Sequence, residues 1–140
     1  MDKFLFTSAT GTTCDAICAG LIANLGPIPV NANIGFIYGT DGSGPLISEV
    51  LSRLKTATGI THWTGTIGLG ITVMGLEYYD SPAVAVMIAC IAESDFRMID
   101  PQAIDVSNFV DRNTDWLAPN DHYFGVLHAD PTNNRAPALI

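Results

Sequence analysis

Residues 34–51 read Ile34-Gly35-Phe36-Ile37-Tyr38-Gly39-Thr40-Asp41-Gly42-Ser43-Gly44-Pro45-Leu46-Ile47-Ser48-Glu49-Val50-Leu51, and the change of pattern along them decides the fold. Ile34 to Tyr38 is a short apolar run bounded by turn residues, as an interior strand is. The loop from Thr40 to Pro45 then leads into a helix. Ser43 or Gly44 is its expected cap, and Pro45 lies in the first turn, where its missing N–H costs nothing. Leu46, Ile47, Val50, Leu51 and Leu54 fall on one stripe, and Gly59 closes the helix. A strand followed by a loop and an amphipathic helix is the repeating unit of an α/β layer.

Upstream, Lys3 to Ser8 reads as a strand. Thr12 or Thr13 caps a helix carrying Ile17, Cys18, Leu21, Ile22 and Leu25 on its core face, and Gly26-Pro27 stops it. Downstream, Trp63, Ile67, Leu69, Ile71 and Val73 alternate with Thr64, Thr66 and Thr72, the period of a half-buried strand. Met74-Gly75 turns that strand into Leu76 to Tyr79, and Asp80-Ser81-Pro82 turns again into Ala83 to Ile91. Asp105 is the expected cap of a helix carrying Val106, Phe109, Val110 and Leu117 and ended by Pro119, with a last strand over Tyr123 to Ala129. Pro137 resembles the first turn of a further helix, broken off after Ala138, Leu139 and Ile140. The fold class expected is α/β: a layered, mixed β-sheet with flanking helices and an antiparallel meander mid-chain. Residues 1–140 form one domain in this reading, truncated at its C-terminal end.

Composition narrows the function. Hydrophobic residues are 48% of the 140 and charged residues 14%, so the chain can offset its ordering entropy by burial. The formal charge of -8 opposes a phosphate backbone, and no cluster of Lys or Arg exists to hold an anionic membrane, so nucleic acid and membrane are not expected partners. The longest apolar run, Ala83 to Ala92, is about half the ~20 residues a membrane span needs. The segment Phe4-Leu5-Phe6 is too short for the core of a signal peptide, which makes the cytoplasm the expected compartment. Cys14, Cys18 and Cys90 are an odd count without a C-x-x-C pair and read as small buried hydrophobes.

Three constellations could carry chemistry. In open α/β sheets ligands gather beyond the carboxyl ends of strands, which singles out Thr40-Asp41-Gly42-Ser43-Gly44. Its hydroxyls, carboxylate and glycine backbone suit a small polar molecule. Asp41 disfavours phosphate and favours an amine or amino acid. The alternative is a strand-to-helix turn with its caps. Gly65-Thr66-Ile67-Gly68-Leu69-Gly70 superficially resembles a dinucleotide fingerprint, but it lies in a strand pattern and precedes no helix, so a twisted or bulged strand is the reading preferred over binding. His128-Ala129-Asp130-Pro131 sets an imidazole and a carboxylate two apart. That suits acid-base or metal chemistry, against the plainer reading of a strand-end His with Asp130 capping a turn. No P-loop and no nucleophile elbow is present.

Four segments together resemble the N-terminal part of a FIST domain. They are Ile34-Gly35-Phe36-Ile37-Tyr38, His62-Trp63-Thr64-Gly65-Thr66-Ile67-Gly68-Leu69-Gly70, Glu77-Tyr78-Tyr79-Asp80-Ser81-Pro82-Ala83 and Val126-Leu127-His128-Ala129-Asp130-Pro131. The FIST domain is a sensory module of bacterial signal-transduction proteins and of some eukaryotic F-box proteins. The resemblance spans nearly the whole chain. It implies a longer two-part domain, with a C-terminal half or a downstream signalling protein as partner, and a small ligand for which amino acids have been proposed. Haem-based nitric-oxide sensing is reported for some members, and His62, His122, His128 and Cys90 are the only formal axial ligands here. Haem ranks below an amino-acid-like ligand, and no cofactor or metal is expected.

The expectation is therefore a small-ligand-binding sensory domain and not an enzyme, with Thr40, Asp41, Ser43, Thr66, Gly68, His128 and Asp130 as its site. Two alternatives stand beside it. One is an interaction fragment that forms a homo-oligomer or pairs with a missing C-terminal half. The other is a small hydrolase or lyase using His128 and Asp130.

Overall fold

The computed structural model describes residues 4–99, 108–118 and 124–130, together with Thr132, Asn134 and Pro137. The chain divides into two compact units, Met1–Phe96 and Arg97–Ile140. Each is described by itself.

The first unit opens with strand β1 (Phe4–Thr10) and helix α1 (Cys14–Leu25). Thr13 is the N-cap of α1, its hydroxyl accepting from the Ala16 amide at 3.2 Å. Strand β2 (Ile34–Thr40) follows, then a short 3-10 helix over Asp41–Leu46 and helix α2 (Ile47–Thr58). The expected cap at Ser43 or Gly44 is not what starts α2. Pro45 sits inside the 3-10 turn and Leu46 is the residue that precedes the α-helix, without a side-chain cap. Gly59 ends α2 in the left-handed conformation, as its position predicted.

Strands β1, β2 and β3 (His62–Gly68) run in one direction, and β6 (Ala83–Ala89) runs against them in a sheet of order β1-β6-β2-β3. The fold is thus mixed α/β. Both helices lie on one face. Cys14, Ile17, Cys18, Leu21 and Leu25 of α1 and Val50 and Leu54 of α2 pack on Ile37, Val84, Val86 and Ile88. Each fully buried aliphatic side chain contributes about 1.5–3 kcal/mol. Ile22, expected on the core face, is exposed, because one more residue of the turn rotates it off the sheet.

The alternating run from Trp63 to Val73 is not one strand. It bends at Leu69 into β3, which belongs to the main sheet, and β4 (Gly70–Val73), which pairs only with β5 (Leu76–Tyr79). Met74 and Gly75 both take positive φ, 52° and 80°, in the two-residue turn that joins them, the geometry that matches the twist of a tight hairpin. The hairpin lies on the sheet face opposite the helices, where Ile71, Val73 and Tyr78 cluster with Tyr38, Ala83 and Ala85. Its neighbour in sequence, β6, leaves the hairpin and enters the main sheet between β1 and β2. Gly65 in β3 has a steric reason: a Cβ there would collide with the Ile37 carbonyl of β2.

In the second unit, helix α3 spans Phe109–Leu117. Arg97 reaches Asn113 at 3.0 Å and Asp115 at 3.3 Å and stacks over Trp116 at 5.6 Å. The strand expected over Tyr123 to Ala129 is not formed, since residues 124–130 are irregular. Asp105, Val106, Pro119, His122 and the segment after Pro137 lie outside the described residues.

Candidate functional site

Because β1, β2 and β3 share a direction, their carboxyl ends meet at one end of the sheet. Three loops gather there: Thr10-Gly11-Thr12-Thr13, Thr40-Asp41-Gly42-Ser43 and Gly68-Leu69-Gly70. The parallel register sets Thr40 beside Gly68 and Tyr38 beside Thr66. Four of the expected site residues, Thr40, Asp41, Ser43 and Gly68, are therefore brought together, with Thr66 one exposed step back along β3.

Their roles differ. Thr40 is 1% exposed, and its hydroxyl donates to the Ser81 carbonyl at 2.7 Å while accepting from the Ala83 amide at 3.0 Å. It pins the end of β2 to the start of β6. Ser43 is fully buried, with its hydroxyl donating to the Thr40 carbonyl at 2.7 Å. Both hydroxyls expected to hold a ligand are thus spent on the turn. Asp41 is exposed in the first turn of the 3-10 helix, and Thr66 is exposed on the strand. By their position before α1, Thr12 and Thr13 of the first loop are cap candidates. Applying the strand-end rule to β1 as well as β2 adds them to the site, and both are exposed.

His128 and Asp130 belong to the second unit. Burial pushes the His128 imidazole below its usual range, favouring its neutral form. The Asp130 carboxylate accepts from the Thr132 hydroxyl at 2.7 Å and amide at 2.8 Å, and these bonds hold it below the ordinary carboxylate range. Asp130 thus closes a small turn over its own chain, the plainer of its two readings.

A depression of about 550 Å³ lies at the opposite end of the sheet, lined by Val30, Asn31, Asn33, Cys90, Ile91 and Glu93 among others. No expected site residue lines it. Asn33 there serves the fold. The Asn33 side chain donates to the Ile91 carbonyl at 2.7 Å and accepts from the Ile91 amide at 3.1 Å, extending the β2-β6 pairing past its last strand residue. Cys90, expected to be buried, is only partly covered and donates to Asn31 at 3.4 Å.

The other cysteines are core residues. Cys14 and Cys18 are 6% and 4% exposed with sulfurs 3.7 Å apart, and burial with the Cys14 contact pushes the Cys18 thiol up to about 11. A thiol so disfavoured as thiolate is a poor nucleophile and a poor metal ligand. Among the described residues no group of three or more His, Cys, Asp or Glu could hold a metal ion. His62, one formal haem ligand, packs edge-on against Phe96 with ring centres 5.6 Å apart. Among the described residues no helix is long and apolar enough to cross a membrane.

The first unit is thus a mixed α/β layer whose three parallel strands deliver their loops to one end. Comparison with family models, with curated proteins and with solved structures gives no match.

Proposed function

We propose that this chain is a small-ligand-binding sensory domain related to the N-terminal part of the FIST family, with an amino-acid-like ligand. The observation that carries the reading is the convergence of three carboxyl-terminal strand ends at one end of a single sheet, with the Asp41 carboxylate exposed among them. That arrangement is where α/β sheets bind small molecules. Asp41 offers an anion for a ligand ammonium group. Thr12, Thr13 and Thr66 offer hydroxyls at the same end of the sheet, the Thr13 oxygen capping α1 while its O–H stays able to donate, and Thr40 and Ser43 hold the loop that presents the carboxylate. The binding set is accordingly Asp41, Thr66, Thr12 and Thr13, with Thr40 and Ser43 as positioning residues. The signalling context, with a C-terminal half or a downstream protein as partner, rests on the family resemblance alone.

The test is a thermal-shift screen against the common amino acids, simple amines and haem, since a ligand that prefers the native state raises the midpoint. A saturable shift with one amino acid, abolished in Asp41→Ala without loss of cooperative melting, supports the reading. A cooperative melt that no compound moves, at concentrations up to several millimolar, rejects it.

A further inference from the structure

The outer edge of β1 carries an inference that does not depend on the ligand reading. β1 is the terminal strand of the sheet. The Gly11 amide donates to the Pro82 carbonyl at 3.1 Å, so Gly11 faces β6, and by alternation so do Leu5, Thr7 and Ala9. The backbone N–H and C=O of Phe4, Phe6, Ser8 and Thr10 therefore point away from the sheet. Asn24 of α1 reaches the Ser8 carbonyl at 3.3 Å, and among the described residues of the first unit no other element takes this row.

Exposed edges are ordinarily protected by charge, proline or a bulge. β1 has none of these: its seven residues, Phe4-Leu5-Phe6-Thr7-Ser8-Ala9-Thr10, are uncharged, and its register with β6 runs unbroken. Phe4 and Phe6 are 42% and 46% exposed. The helix above continues the same character. Gly20 approaches Ala9, and with Asn24 it marks the side of α1 that overlies β1; Ala16 and Ala23, on that same side, are exposed. The one charge of α1, Asp15, is bound by Arg53 of α2. A chain of net charge -8 repels its own copies over most of its surface, and along Phe4–Thr10 it presents no charge to repel them.

We infer that β1 is a self-association edge, at which two copies pair antiparallel about a two-fold axis at Thr7 and extend the sheet to eight strands. That register is the one in which every outward backbone group is used. Residues 4, 6, 8 and 10 of one copy face 10, 8, 6 and 4 of the other, and the Ser8 carbonyl exchanges Asn24 for a strand partner. The small side chains at Ala16, Gly20 and Ala23 let the two α1 helices approach above the seam.

Sedimentation equilibrium of the whole chain, from 1 μM to 500 μM, tests this. A monomer-dimer equilibrium is expected, with the amides of Phe6, Ser8 and Thr10 gaining protection from hydrogen exchange as the dimer fills. Phe6→Lys, at an exposed side chain, weakens association at least 100-fold, and Ala23→Arg weakens it at least 10-fold. Thr64→Lys, on the far edge strand β3, leaves it unchanged. A monomer throughout the range overturns the inference. So does a dimer that Thr64→Lys breaks and Phe6→Lys spares.

Discussion

The two faces of the four-stranded sheet are built to different standards, and a single strand shows it. β6 sends Val84, Val86 and Ile88 to the helices and Ala83, Ala85, Met87 and Ala89 to the other side. On the helix face, large aliphatic side chains interlock with two complete helices. On the other face, Ala83 and Ala85 leave room for the β4-β5 hairpin, whose Ile71 and Tyr78 cluster with them and with Tyr38 of β2. The helix face is a hydrophobic core in the ordinary sense. The hairpin face is held by few apolar contacts and by directed hydrogen bonds: Thr40 to Ser81 and Ala83, and Ser8 to Tyr78 at 2.9 Å. Stability should therefore reside on one face, and the precise placement of the strand-end loops on the other.

The sharpest way to break this comparison is to truncate one side chain on each face. Leu21→Ala should cost about 2–5 kcal/mol in chemical denaturation, as a fully buried leucine does when it leaves a cavity. Ile71→Ala, in a cluster with few buried residues, should cost clearly less. Equal losses would show that the hairpin is as much a part of the core as α1.

The Cys18 thiol reports on the helix face. With the Cys18 thiol raised to about 11 from an ordinary 9.0, the native state keeps a proton that the unfolded chain releases. Stability is then fully present below pH 9 and is lost as pH rises toward 11, by on the order of 2–3 kcal/mol. The loss attributable to this thiol is the difference from Cys18→Val measured over the same window, and identical pH profiles would refute it.

On the hairpin face the hydrogen bonds should dominate. Thr40→Val conserves shape but strands the buried Ala83 amide, an effect of about 1–3 kcal/mol. It should also disturb the loop that carries Asp41, so ligand response should fall along with stability. Tyr78→Phe should have the smallest effect, about 0.5–1.5 kcal/mol, seen as faster exchange of the hairpin amides with little change in the global midpoint. A large global loss in that variant would contradict the division drawn here.

Features with a local cause were legible before the structure: the Thr13 cap, the Gly59 stop, the Met74-Gly75 turn and the interior place of β2. The position of Thr40 was legible too, but its occupation was not. A threonine at a strand end is equally suited to a ligand and to the neighbouring backbone, and only the arrival of Ser81 and Ala83 decides between them. The break at Leu69 was hidden because alternation continues unchanged while the two halves of the run serve different sheets. Residues 124–129 show the reverse, a strand-like pattern in a segment that the structure leaves irregular. Asn33 gave no signal, since an asparagine before a strand reads as a turn residue until Ile91 is placed beside it.

By itself the sequence determined the strands β1, β2 and β6 and both helices of the first unit, the Thr13 cap and the Gly59 stop, most of each helix's apolar stripe, and the net acidic charge. Those follow from dihedral preference, periodicity and charge, which act over a few residues or over the composition as a whole. The tertiary structure alone decided that β6 enters between β1 and β2, that the hairpin closes the second face, and that Thr40 and Ser43 serve the fold while Asp41 stays exposed. Each of these depends on which distant backbone group meets a given donor or acceptor, and a pattern read along one chain does not encode that meeting.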